Sequence, residues 1–240
     1  MTKTVTHDDL LNLPVVAEYS PHKRCSGVVR KVGEDFLLID DSVTGTALIP
    51  LEHVKQLRLS EATPAVRQPP TDADSGPVDP ASVPDTLCAA LQSWAGSVVQ
   101  LDGGGPDPYA AYLLDVRADY LIASVIPEGL VYVPIRHIHL VRPLDVVVRT
   151  EFSEWVNRLK AVLPAATRFA DALRHETGRL VKVGRGGPDE MYGIVRAVHD
   201  TFVELVVSPH ELVRIPMHHV KSVSRQEDID WQAVAETTHA

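Results

Sequence analysis

Three histidines, His53, His137 and His219, hold the same place in a recurring phrase and are the residues of this chain best suited to chemistry. The phrase reads Ile49-Pro50-Leu51-Glu52-His53-Val54, then Val133-Pro134-Ile135-Arg136-His137-Ile138, then Ile215-Pro216-Met217-His218-His219-Val220. Imidazoles titrate near neutral pH and ligate metals. With His139 and His218 adjacent, a metal site or a pH-responsive cluster is one reading. The spacing, 84 residues from 53 to 137 and 82 from 137 to 219, argues for another. A histidine that recurs once per copy sits in three separate modules, and gathering all three needs a ring-like axis. The repeat favours a structural role, either a satisfied hydrogen bond at the last strand of each module or packing across a seam between copies, with no metal.

Asp35 beside Phe36, Asp119 beside Tyr120, and Asp200 near Phe202 are candidate acid groups. The simpler reading is a turn before a strand, where the carboxylate accepts backbone N–H groups and the aromatic ring fills the interior. The glycine runs Gly103-Gly104-Gly105 and Gly184-Arg185-Gly186-Gly187 could cradle phosphate in principle. A phosphate loop opens a helix and carries Lys-Ser/Thr after its last glycine. Here Pro-Asp and then a strand pattern follow, so hairpin turns are expected. No G-x-S-x-G elbow and no His-Glu-x-x-His occurs, and neither Cys25 nor Cys88 has a plausible base in its own copy. Both cysteines read as small buried hydrophobes. No catalytic, cofactor-binding or metal site is expected, and the chain is not expected to be an enzyme.

The elements that carry these residues follow from the repeat. At the fixed offsets Gly27, Ala111 and Gly193 coincide, as do Val32, Val116 and Val198, and Phe36, Tyr120 and Phe202. Between copies two and three, Gly104-Gly105-Pro106-Asp107 superposes on Gly186-Gly187-Pro188-Asp189. In the third copy Leu180-Val181-Lys182-Val183 alternates like a half-buried strand. Segments 193–198, 202–207 and 212–215 supply three more strands. Pro216 marks a break, and His219 to Val223 reads as a short last strand. Five short strands cannot bury two separate sheet faces, so one strongly bent sheet closing as a small barrel is expected. A helix precedes each barrel. Asp85 is the expected cap of a helix from Thr86 to Trp94, and Thr167 to Glu176 repeats it. Asp8-Asp9-Leu10-Leu11 is a truncated version.

The chain divides into a first module at residues 6–59, a Pro-rich linker at 60–84 and a second module at 85–144. An insert helix at 145–164 (Phe152 to Leu163), a third module at 165–225 and a tail at 226–240 complete it. The linker holds six prolines among small and acidic residues, a composition suited to an extended spacer. A brief helix around Ile229 to Val234 is conceivable in the tail. Across all 240 residues, 23 Lys+Arg face 32 Asp+Glu for a net charge of −9, which disfavours nucleic acid or an anionic membrane as main partner. No apolar run spans a bilayer, and the first nine residues lack the apolar core of a signal peptide.

A helix followed by a bent five-stranded barrel of this size is similar to the Sm-like fold. Val131 to Ile138 resembles the strand 4–5 junction of the bacterial Sm-type RNA chaperone. A narrower resemblance is to the spore coat protein B family of endospore-forming bacteria. It rests on Val181-Lys182-Val183-Gly184-Arg185-Gly186-Gly187-Pro188-Asp189 and His219-Val220-Lys221-Ser222-Val223 in the third copy. The second copy contributes Gly104-Gly105-Pro106-Asp107 and Val116-Arg117-Ala118-Asp119-Tyr120-Leu121, and the first only Val32 to Leu37 and His53-Val54-Lys55. The family's Ser-, Lys- and Arg-rich tract has no counterpart in this sequence, and a role tied to it is not carried over.

The resemblance implies three tandem Sm-like barrels in a structural protein of the spore coat. Such a protein is made in the mother cell without a signal peptide and assembles with other coat proteins, and with itself, through barrel edges. The alternatives are an Sm-type RNA-binding protein or another cytosolic scaffold. RNA binding would want a basic residue at equivalent positions in each copy, and Glu52, Arg136 and His218 are not such a set.

Overall fold

The computed structural model describes residues 7–41, 43–60, 78–103 and 107–226. The readings of Gly104, Gly105 and Pro106, of most of the linker, and of a helix in the tail lie outside the described residues. The protein is mainly β, with few and short helices. The first copy supplies β1 (Pro14–Ser20), β2 (Lys23–Val32), β3 (Phe36–Asp41), β4 (Gly45–Pro50) and β5 (Gln56–Leu59). The second supplies β6 (Val98–Gly103), β7 (Tyr109–Val116), β8 (Tyr120–Val125), β9 (Gly129–Pro134) and β10 (Ile138–Pro143). The third supplies β11 (Leu180–Val183), β12 (Met191–Val198), β13 (Phe202–Ser208), β14 (Glu211–Pro216) and β15 (Val223–Arg225).

These strands fall into two compact units. One contains β1 to β7 and β10, the other β8, β9 and β11 to β15. In the first the order is β7-β6-β10-β4-β3-β2-β1-β5, and in the second β14-β13-β12-β11-β15-β9-β8, antiparallel at each described pairing. Strand β1 buries alternate residues, Val15, Ala17 and Tyr19, as a period of two dictates. In β8 and β9 every residue is buried, which matches their unbroken run of apolar and small side chains.

Strand β2 shifts register against β3 between Val29 and Lys31, and β12 shifts against β13 between Val195 and Ala197. These bulges stand at the same offset in the first and third copies and bend the strand that carries them. Two residues earlier in the chain, Gly27 pairs with Val15 and Gly193 with Val181, while Ala111 pairs with Val99. A Cβ at Gly27 would run into the Asp40 carbonyl, so glycine is what lets β2 and β3 approach there.

The expected closure of each copy into its own barrel is not found. The first and third copies have the internal order fifth-first-second-third-fourth strand, and the fourth never returns to its own fifth. The outer edge of β4 is instead taken by β10, with Leu48 opposite Val141. The outer edge of β9 is taken by β15, with Tyr132 opposite Val223 and Val131 opposite Ser224. An open edge leaves N–H and C=O groups unpaired, and the last strand of the following copy satisfies them as well as the copy's own would.

The helices differ from expectation in detail. Helix α1 is Leu87–Ser93, and Thr86 rather than Asp85 occupies its N-cap, accepting from the Ala89 amide at 3.4 Å. Asp85 pairs with Lys31 at 2.7 Å. Helix α2 is Thr150–Lys160, ending before Pro164, and α3 is Phe169–Arg174, shorter than the Thr167 to Glu176 expected. One 3₁₀ turn, His7–Leu10, precedes β1. The last strand of the third copy is Val223–Arg225 only, because a 3₁₀ turn takes up Met217–His219.

Candidate interaction site

The recurring phrase folds the same way three times. Pro50, Pro134 and Pro216 end their strands opposite the aromatic rings of Phe36, Tyr120 and Phe202. Proline offers no N–H to extend the ladder. The next amide is bound instead, Leu51 by the Asp35 carbonyl at 2.8 Å, Ile135 by Asp119 at 2.9 Å and Met217 by Thr201 at 2.8 Å. The chain then turns through Leu51–His53, Ile135–His137 and Met217–His219. The three histidines therefore end 3₁₀ turns and do not lie on the last strands. The His53 ring lies tilted against His139 with centroids 4.4 Å apart, His219 lies tilted against His218 at 4.2 Å, and His137 accepts from Arg136 Nε at 3.4 Å. Among the described residues no group of three or more His, Cys, Asp or Glu side chains is arranged to hold a metal.

The candidate acids Asp35 and Asp119 each hold the helix that follows. Asp35 Oδ1 accepts from the Leu87 amide at 2.6 Å and Asp119 Oδ1 from the Phe169 amide at 2.7 Å. Beside them the Glu34 amide donates to the Asp85 carbonyl at 2.8 Å and the Ala118 amide to the Thr167 carbonyl at 3.1 Å. A carboxylate at the amide end of a helix caps it and meets the positive end of its dipole. The third copy has Thr201 at this position. Asp200 is exposed and pairs with Arg174 at 2.6 Å.

The turn of the third copy is a hairpin between β11 and β12. Gly184, Gly186 and Gly187 have positive φ there, and the Gly186 amide donates to Glu190 Oε2 at 2.7 Å. That bond holds the Glu190 carboxyl below its usual range. The amide that a phosphate would need is thus bound to the turn's own carboxylate. Pro188 lies within the turn and Asp189 reaches Lys221 at 3.6 Å.

Both junctions between copies bury charge, which the sequence reading missed. At the β4–β10 seam, Arg142 approaches Asp41 Oδ2 and Cys25 Sγ, each at 3.7 Å. Lys23 donates to the buried Asp102 at 2.8 Å. Burial pushes the Cys25 thiol up to about 11, and burial followed by the Asp102 charge raises Tyr19 above the usual phenol range. His139 is shifted down, first by burial and then by His53. At the β9–β15 seam, Glu176 accepts from Arg225 Nε at 2.9 Å and Nη2 at 2.6 Å, and from the Tyr132 hydroxyl at 2.8 Å. Arg136 also donates to the Met217 carbonyl. The available sequence signal was a lone charge in an apolar strand, as with Arg142 after Ile138-His139-Leu140-Val141.

The seam strands and strands β5 and β14 differ in burial. Strands β9 and β15 are buried throughout, as are Ala47 to Pro50 of β4 and most of β10. Strands β5 and β14, the fifth of the first copy and the fourth of the third, are mostly exposed. The described pairings give each of these two only one partner strand, β1 for β5 and β13 for β14. They are the candidate interaction edges. No described helix is long and apolar enough to cross a membrane.

Compared with known proteins, the chain is 21% identical over 223 residues to the uncharacterized protein YwrJ of Bacillus subtilis strain 168, aligning 90% of this chain and 97% of that one. It is 28% identical over 126 residues to the spore coat protein B of the same organism, which covers 52% of this chain and only 32% of the coat protein. No family model matches the chain.

Proposed function

We propose that the chain is a structural component of the bacterial spore coat that assembles with other coat proteins through its strand edges and performs no chemistry. The partial similarity to spore coat protein B supports the setting. The mode of action rests on one observation, that strand edges already join copy to copy inside the chain at two seams. Edge pairing supplies main-chain hydrogen bonds without demanding a particular partner sequence, which suits a building block.

On this reading three tandem Sm-like modules make up the chain. Equivalent pairings at Gly27, Ala111 and Gly193, the matched bulges and the three proline-led turns all support it. On the same reading this chain is made in the mother cell and assembles on the forespore surface. An RNA-binding reading is disfavoured by the net charge of −9 and by the mismatch of Glu52, Arg136 and His218 at equivalent positions.

A fluorescent fusion followed through sporulation of the source organism tests the proposal. A ring around the forespore is expected. A signal diffuse in the cytosol throughout would overturn it.

A further inference from the structure

We infer that the partner of these edges includes a second copy of this chain, joined head to tail, with the outer edge of β5 in one molecule pairing with the outer edge of β14 in the next. The inference rests on the edge-pairing part of the proposed function and gives it a partner and a register.

The register comes from the chain's own seams. Leu48 faces Val141 at the first, and Tyr132 faces Val223 at the second. Position 48 advanced by 84 gives 132, and 141 advanced by 82 gives 223, so both seams use one register. Advancing the fourth-strand position once more, by 82, reaches Arg214 on β14. Stepping the fifth-strand position back by 84 reaches Leu57 on β5. A third seam of the same kind sets Arg214 opposite Leu57, and the antiparallel step seen at the second seam then sets Val213 opposite Arg58 and Leu212 opposite Leu59.

That last pair is the second, independent observation. Leu59 is 62% exposed and Leu212 is 40% exposed, so each outer strand presents a leucine to solvent at the positions this register would join. Leu59 lies beside Val15 and Leu212 beside Val206 in their own sheets. Joining the edges would continue each apolar row across the new seam. The charge on β14 does not oppose this, because Arg214 is held by Glu204 at 2.8 Å and lies 5.2 Å from the Phe202 ring.

A β5 edge and a β14 edge are different surfaces, so the contact is heterologous. Such a contact closes into a ring or propagates as a filament. A foreign strand could occupy either edge, but only this chain is known to carry both halves of a contact that it already makes twice.

Directly opposed residues of an antiparallel pair have Cβ atoms about 4.5–5.5 Å apart, close enough for cysteines to be bridged with a small adjustment. Two full-length chains, both carrying Cys88→Ser, receive Leu59→Cys in one and Leu212→Cys in the other. Cys25 is buried and is left in place. Under mild oxidation the mixture is expected to form the 59–212 disulfide at least about ten times faster than either chain alone forms a homodimer, an energy difference of about 1.4 kcal/mol. Sedimentation of the unmodified chain is expected to show multiples of 26.3 kDa as concentration rises. Homodimers forming as fast as the mixed species, or a single 26.3 kDa species at all concentrations, would overturn the inference. Failure here beside a fusion that rings the forespore leaves the coat role standing and gives the edges to other coat proteins. The 59–212 bridge beside a diffuse fusion leaves self-pairing standing and removes the coat role.

Discussion

Arg225 grips Glu176 with two bonds, Nε at 2.9 Å and Nη2 at 2.6 Å, and both side chains are buried, Glu176 completely. Tyr132 from β9 completes the set by donating to the same carboxylate at 2.8 Å. The residues come from the fourth strand of one copy, the fifth strand of the next and the turn just after the helix ahead of it. One buried carboxylate therefore fixes the register of the β9–β15 seam. A strand slipped by one residue would turn Arg225 to the other face and leave Glu176 buried without its countercharge.

Removing one partner of a buried pair costs more than the pair contributes, because the other charge stays desolvated. Glu176→Ala is expected to lower the stability of the full chain by about 3–5 kcal/mol. Tyr132→Phe, which removes one donor and leaves the ion pair, is expected to cost about 1–2 kcal/mol. Urea denaturation of the two variants checks the order. Equal losses below 1 kcal/mol would mean the carboxylate is not the seam's lock.

The helix contacts of Asp35 and Asp119 predict a graded effect along the chain. Asp119→Ala and Asp35→Ala each free a helix amide and are expected to cost about 1 kcal/mol, the usual loss for a cap. Asp200→Ala removes only an exposed ion pair with Arg174 and is expected to melt close to wild type. Thermal melts of the three variants read this directly, and an Asp200 loss as large as the other two would contradict the assignment.

Much of this was legible in the spacing of residues, and some of it could not be. Phe36 with Pro50, Tyr120 with Pro134, and Phe202 with Pro216 align at constant offsets in the sequence and are cross-strand partners in the fold. Hydrophobic alternation says which face of a strand is buried, and so β1 was readable. Alternation is silent about which strand takes an edge. Closure of β4 on β5 and pairing of β4 with β10 leave the same pattern in the sequence, so the barrel expectation and the observed seam were indistinguishable there. The buried ions were hidden for another reason. Glu176 follows Leu173-Arg174-His175 and reads as the solvated end of a helix, while the arginine that neutralises it lies 49 residues on.

The two strand glycines predict unequal responses to the same methyl group. A Cβ at Gly27 meets the backbone carbonyl of Asp40, which cannot move without breaking the β2–β3 ladder. At Gly193 the nearest atoms are Leu205 Cβ at 3.0 Å and the Val206 carbonyl at 3.1 Å, a milder conflict. Gly27→Ala is expected to lose about 1–3 kcal/mol by overpacking, and Gly193→Ala less. The second copy carries Ala111 at this position, paired with Val99. Denaturation midpoints of the two variants decide it, and a Gly193 loss exceeding that at Gly27 would show the close approach to be misplaced.

His139 makes the β4–β10 seam sensitive to acid. Burial disfavours its charged form, and His53, Lys23 and Lys55 add to that, with Asp102 alone opposing. Its folded-state pKa therefore lies below the 6.5 of a free imidazole. Between those two values the unfolded chain binds a proton that the folded chain does not, and stability rises with pH wherever the unfolded state holds more protons. The contribution is thus fully present above 6.5 and is lost as pH falls through 6.5 to the folded value, below which it levels off. Urea midpoints taken from pH 7.5 to 5 should fall more steeply for the wild type than for His139→Gln. The ring of His53 lies tilted against His139 at 4.4 Å, so His53→Gln should relieve part of the same slope by removing the second-ranked cause. Wild-type and His139→Gln midpoints that fall in parallel would mean the acid response originates elsewhere.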